Sequence, residues 1–281
     1  MKFKPRLKFV FPMSQWRFLG ISCLLFLLSP CLFFSCQEPE QVIQTDLEEF
    51  EIEHHIVIGQ TMAKQIEKMP EMFNVLDSEI YHDAYIYVDR LVSTLKLTSV
   101  VKHRDDFNWK VTILHDDTIQ SAFTLPGGHI YIYTGLLHFL EAEHELMAVL
   151  ANEIAYADKE LSAIALREAH GGVFLGDIIL EKEVKNLPEV VEAFPSLEFS
   201  EDKVFDADQY AITLICPFQY DINGLQQVLS RANNNIEWLL SKNGEDLAER
   251  LAYIEEYASE CGEGGVTNYQ QYQRKIKNFL P

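Results

Sequence analysis

Residues 152–156, Asn-Glu-Ile-Ala-Tyr, set an acid inside an i,i+4 pair within the apolar run EAEHELMAVLANEIAYADKE at 141–160. On a helix, positions four apart share a face, with Cβ atoms about 5–6 Å apart. Two histidines at that spacing grip one zinc ion, and the glutamate beside the first acts as general base on the metal-bound water. In this chain Glu153 holds the general-base position, while Asn152 and Tyr156 hold both ligand positions. An Asn amide is a neutral, weak donor. A Tyr phenol, with a reference pKa of about 10, must lose its proton before it binds metal. Without a cation, nothing lowers the pKa of an attacking water from about 15.7 toward about 7.

The elements that must position these residues follow from periodicity and turn signals. Three- and four-residue spacing of apolar side chains predicts helices over 47–68 and 78–95. Residues 109–114 (WKVTIL) alternate and are β-branched, which predicts a strand, followed by short strands at 122–125 and 129–133 on either side of the Pro126-Gly127-Gly128 turn. Thr134 is placed to cap a helix over 135–140, and 141–159 continues as a long helix. A further helix over 161–180 is interrupted at Gly171-Gly172. Pro188 and Pro195 mark a loop, and helices follow near 200–215, 222–232, 246–257 and 268–279. Helices, then a short strand cluster, then helices indicate an α+β class, predominantly helical with a small β-sheet.

The 41 residues from Asp116 to Tyr156, DDTIQSAFTLPGGHIYIYTGLLHFLEAEHELMAVLANEIAY, closely resemble the signature region of peptidase family M48, the gluzincin zinc metallopeptidases of HtpX and BepA type. Upstream, Glu53 to Gly59 is similar to the family's EIALG segment. Downstream, Val204-Phe205-Asp206-Ala207-Asp208 falls where the family has ExEAD. The likeness runs roughly from Glu49 to Leu251 and implies a zincin-like fold. The family's zinc ligands, carried over one at a time, land on Asn152, Tyr156 and Val204, so no metal is expected at those positions. A His-Pro pair of the family would fall within Asn243-Gly244-Glu245 and is absent. Glu153 stays at the general-base position as a vestige. Asp208 stays where the family supports a zinc histidine, and Arg250 is a further retained residue.

That resemblance implies a degenerate metal site and a non-catalytic module for peptide binding or protein quality control, with no cofactor expected. The alternative is an active metalloendopeptidase that holds zinc through substituted ligands, for which Glu201, Asp208 and His129 are the candidates. Zinc would then be the cofactor. The bland reading of Glu153 is a salt bridge or hydrogen bond, because a buried acid needs a partner. For Asp208 it is a hydrogen bond from Asn152 or a helix-face charge. His54, His55, His144 and His170 show no ligand spacing and read as helix-face residues. In the resembled peptidases the strand after the Gly-Gly turn borders the cleft, so Gly127, Gly128, His129, Ile130 and Tyr131 are the expected substrate strand. An extended or unfolded polypeptide would pair there through main-chain hydrogen bonds, which need no zinc. A plain hairpin with an interior strand is the other reading.

Residues 1–35 contain five Lys or Arg and no acid, with an uncharged apolar run from Phe18 to Ser35. This is the plan of a secretory signal, and Ser35-Cys36 resembles a loose lipobox with Cys36 as the lipidated residue. An uncleaved membrane anchor is the alternative. The expected organisation is a signal at 1–35, a tether at 36–46, a metallopeptidase-like domain at 47–260 and a C-terminal loop and helix at 261–281. The expected location is the bacterial cell envelope, lipid-anchored to the outer membrane and facing the periplasm. A net charge of −20, from 23 Lys and Arg against 43 Asp and Glu, repels phosphate backbones and argues against nucleic acid as a partner. Cys216 and Cys261 are read either as one disulfide or as two buried thiols.

Overall fold

The computed structural model describes residues 51–232, 247–262 and 264–281. A three-stranded sheet lies between two groups of helices. Its strands are β1 (Lys110–Leu114), β2 (Ala122–Leu125) and β3 (His129–Tyr133), in the order β1-β3-β2. The period of two in β3 divides its side chains between two cores. Ile130 and Ile132 join the core that also holds α2 (His82–Leu95) and α4 (Glu143–Asp158). Tyr131 and Tyr133 join the core that holds α1 (Ile52–Glu67) and α5 (Leu161–Ile179).

β3 is parallel to β1 (Lys110 opposite His129) and antiparallel to β2 (Leu125 opposite His129). It is therefore the central strand. This corrects the expectation that residues 127–131 accept an extended substrate, because both edges of β3 are already paired within the sheet. The outer edge of β2 is also engaged, as Ser162 Oγ donates to Thr124 O at 2.6 Å. The Pro126-Gly127-Gly128 turn instead fixes α1 and β1. Gly59 lies so close to it that a Cβ would stand 1.8 Å from Pro126 O. The turn's carbonyls accept from Asn108 N at 3.1 Å and Lys110 N at 3.2 Å.

After the sheet come α3 (Thr134–Phe139), then α4 and α5. Gly171, with φ of 81° and ψ of 161°, kinks α5 at the expected interruption. Residues 187–193 form α6 (Leu187–Ala193), with a 3-10 turn at Phe194–Ser196, where a loop was expected. Both prolines occupy the first turn of their element, where a missing N–H costs nothing. Then follow α7 (Glu201–Ile215), α8 (Gly224–Arg231), α9 (Leu247–Ser259) and α10 (Tyr269–Tyr272), the last running into a π-helical turn at Gln273–Lys277. Residues 261–281 are part of the same domain: Tyr272 and Ile276 are fully buried in the α2/α4 core, and Tyr272 donates to Leu137 O at 2.6 Å. Cys216 and Cys261 form a disulfide.

Candidate functional site

All sixteen residues of α4 are buried, although six of them are polar or charged. Burying acids without partners would cost several kcal/mol each, by order of magnitude, so their partners decide whether this helix can exist. Glu143 accepts from Arg90 at 2.7 Å and from Tyr220 and Asn268 at 2.6 Å. Burial alone would raise its pKa, but these donors and the Arg90 charge hold it below the ordinary carboxylate range. Glu145 takes two bonds from Arg231, each 2.6 Å. Asp158 accepts from the main-chain amides of Lys102 and His103 and from the Tyr210 hydroxyl. α4 is thus anchored at both ends, and its middle turn carries residues 152–156.

The turn that carries residues 152–156 packs against α7. Asn152 meets Asp208, while Tyr156 packs its ring 4.7 Å from that of Phe199, just ahead of α7. Val204 lies between Phe199 and Asp208 in sequence, one turn before Asp208 on α7, and is buried in the same core as Tyr156. The chemistry of the three positions carried over from the family does not suit a metal. Asn152 Nδ2 donates to Asp208 Oδ1 at 2.9 Å, which commits the amide as a donor. Asp208 is bound by Arg250, Nε to Oδ2 at 2.7 Å and Nη2 to Oδ1 at 2.9 Å. The guanidinium thus supplies the positive charge opposite this carboxylate. Val204 is fully buried and offers no donor atom. Catalytic zinc requires three protein donors and an open position for water, and this set does not fit that requirement.

Glu153 is also fully buried, and Thr124 Oγ1 on β2 donates to its Oε2 at 2.8 Å. The hydrogen bond expected of a buried acid is present, and its donor comes from a strand whose register no local signal in the sequence reveals. The substitute ligands are not brought together. Glu201 is exposed at the start of α7. His129 lies on the α1 face of the sheet beside Gly59. Asp208 is held by Arg250. No group of three or more His, Cys, Asp or Glu among the described residues is arranged to hold a metal ion. Two of the helix-face histidines are buried: His144 Nε2 lies 2.8 Å from Gln227 Oε1, and His55 Nε2 lies 3.4 Å from Glu160. Cys36 and residues 243–245 lie outside the described residues.

The family model described as peptidase family M48 matches residues 86–259. The mitochondrial metalloendopeptidase OMA1 of Schizosaccharomyces pombe is 30% identical over 154 residues, covering 54% of this chain and 44% of that protein. The Arabidopsis thaliana protein of that name is 24% identical over 146 residues, covering 52% and 30%. The human metalloendopeptidase OMA1 is 36% identical over 73 residues, covering 26% and 14%. This chain therefore matches less than half the length of each of these relatives. Their names place them in mitochondria, which overturns the expectation of a bacterial outer-membrane lipoprotein facing the periplasm. A basic, acid-free leader is common to secretory and mitochondrial targeting segments, so residues 1–35 did not discriminate between them. No helix of the described residues is long and apolar enough to cross a membrane. The chain belongs to peptidase family M48, and its fold is the α+β, zincin-like fold of that family.

Proposed function

We propose that this member of peptidase family M48 holds polypeptide without cleaving it, as a peptide-binding or quality-control module. The observation that carries the reading is the Asn152–Asp208–Arg250 hydrogen-bond lock between α4, α7 and α9. In an active zinc peptidase the first of these positions would lend a nitrogen to the metal, and the second would orient a metal-bound histidine. In this chain the same two side chains bond each other and an arginine. Val204 supplies no third donor, and Glu153 accepts a hydrogen bond from Thr124.

The relatives named above are metalloendopeptidases, so proteolysis is the activity against which the reading is tested. Full-length protein is incubated with β-casein, with and without added zinc and o-phenanthroline, beside the Glu153→Gln variant. The expected result is no cleavage beyond that of Glu153→Gln under any condition. Chelator-sensitive cleavage that Glu153→Gln abolishes would overturn the proposal.

A further inference from the structure

We infer that residues 268–281 are a strap filling a helix-binding groove between α2, α3 and α4, and that the polypeptide held there in its place is an amphipathic helix of the strap's own pattern: asparagine, tyrosine, isoleucine and leucine at four-residue intervals. Along the strap only Tyr272, Ile276 and Leu280 are buried. They join the core that contains α2 and α4, with the Tyr272 ring 6.5 Å from that of Tyr87 on α2. The polar contacts are made by side chains too. Asn268 Nδ2 donates to Glu143 Oε1 at 2.6 Å, and Gln273 Nε2 donates to Glu141 O at 2.9 Å. The Tyr272 hydroxyl donates to Leu137 O at 2.6 Å, one of the last carbonyls of α3, where a helix supplies no partner of its own. Lys275 lies 3.5 Å from Asp83, but both are about half exposed and the pair contributes little. Anchor pattern, and not charge, therefore selects the occupant.

The strap's main chain is largely self-sufficient. Tyr272 N donates to Asn268 O, Asn278 N to Gln273 O across the π-helical turn, and Leu280 N to Ile276 O. Among the described residues its main-chain contact to the groove is Pro281 O, 3.1 Å from His138 Nε2. A segment built this way is read by its side chains, as an amphipathic helix is read in a groove. It can also leave without taking the domain with it. Its root is fixed independently: Val266 N donates to Gln219 O at 2.7 Å, Asp221 N donates to Val266 O at 3.2 Å, and Cys261 is bonded to Cys216. The chain passes from root to strap through Asn268, whose φ of 48° lies in the left-handed region and interrupts regular structure. The groove wall keeps its own ties, since Glu143 retains Arg90 and Tyr220 when Asn268 withdraws. α4 is buried along its whole length, whereas the strap is held by three buried side chains, and regions with so few buried contacts open first.

This groove deepens the polypeptide-holding reading and rests on it. A fluorescein-labelled peptide of residues 268–281 is titrated by anisotropy into the full-length chain and into its Ile276→Asp variant, whose own strap has lost an anchor. Because the strap competes with the peptide, the variant should bind it about tenfold more tightly than the wild type. A peptide carrying Ile276→Asp should not bind. One carrying Tyr272→Phe, which leaves Leu137 O without its donor, should bind about three- to tenfold more weakly. Hydrogen exchange of the wild type tests the strap without any substitution: amides of 269–281 should exchange through an opening that leaves α4 protected, and exchange of 269–281 only together with α4 would overturn the inference. Reduced, carboxymethylated α-lactalbumin serves as an unfolded polypeptide in the same titrations. Binding of it but not of the 268–281 peptide would overturn the groove while leaving a polypeptide-holding protein. Binding of neither would overturn both.

Discussion

The Asn152–Asp208–Arg250 lock makes a quantitative demand on the variant Arg250→Ala. Asp208 is fully buried, and the Arg250 side chain is 2% exposed. Truncating the arginine removes two short charged hydrogen bonds and leaves the Asp208 carboxylate buried with the Asn152 amide. Breaking one side of a buried pair in this way costs about 3–5 kcal/mol. For a domain of this size each kcal/mol lowers the melting temperature by about 2–4 °C, so the expected drop is about 6–20 °C. Replacing all three residues together (Asn152→Leu, Asp208→Leu, Arg250→Met) removes every charge and should return stability to within about 1 kcal/mol of the wild type, or above it. Urea titration followed by tryptophan fluorescence, run alongside thermal melts, gives both arms. A shift below about 2 °C for Arg250→Ala, or a triple variant less stable than that single one, would refute the reasoning.

Two further perturbations follow from groups away from that lock. Burial first, then the neighbouring His103 and His54, pull the His55 pKa down to about 4, although Glu160 lies 3.4 Å from its Nε2. The unfolded chain, with an unperturbed value of about 6.5, binds the proton more readily, so this contribution is complete above that value and is lost as pH falls toward 4. It amounts to about 3 kcal/mol, and His55→Gln should flatten the urea midpoint between pH 7 and 4; an unchanged acid limb contradicts it. The Cys216–Cys261 bond joins residues 45 apart in sequence, from the end of α7 to just past α9. Its reduction, or Cys216→Ala, should cost about 4 kcal/mol in thermal melts, whereas a midpoint indifferent to reductant would show that the crosslink is not formed.

How far the sequence reached depended on whether the deciding contact was local. The bounds of β2 and β3 coincide with those expected at 122–125 and 129–133, because alternation and a Pro-Gly-Gly turn are properties of adjacent residues. Strand order was not legible. That β3 sits between β1 and β2 depends on a parallel pairing across the chain, and without it a central strand reads as an edge. Pro188 suggested a loop, yet at the start of α6 it is compatible with a helix. The Asn152–Asp208 contact was one of two bland readings of Asp208, beside a helix-face charge. Its closure by Arg250, 42 residues further on, and the Thr124 bond to Glu153 depend on tertiary register, which spacing alone does not carry.

The central claim is that the helix pair of a zinc peptidase is intact and only its donor atoms are gone. Metal content per chain, measured by inductively coupled plasma mass spectrometry on purified wild type and on the combined Asn152→His, Tyr156→His, Val204→Glu variant, tests it most directly. The account predicts no stoichiometric zinc in the wild type and about one ion per chain in the variant, which restores the three donors of the family. About one zinc per wild-type chain, or a folded variant that still takes up none, would contradict it.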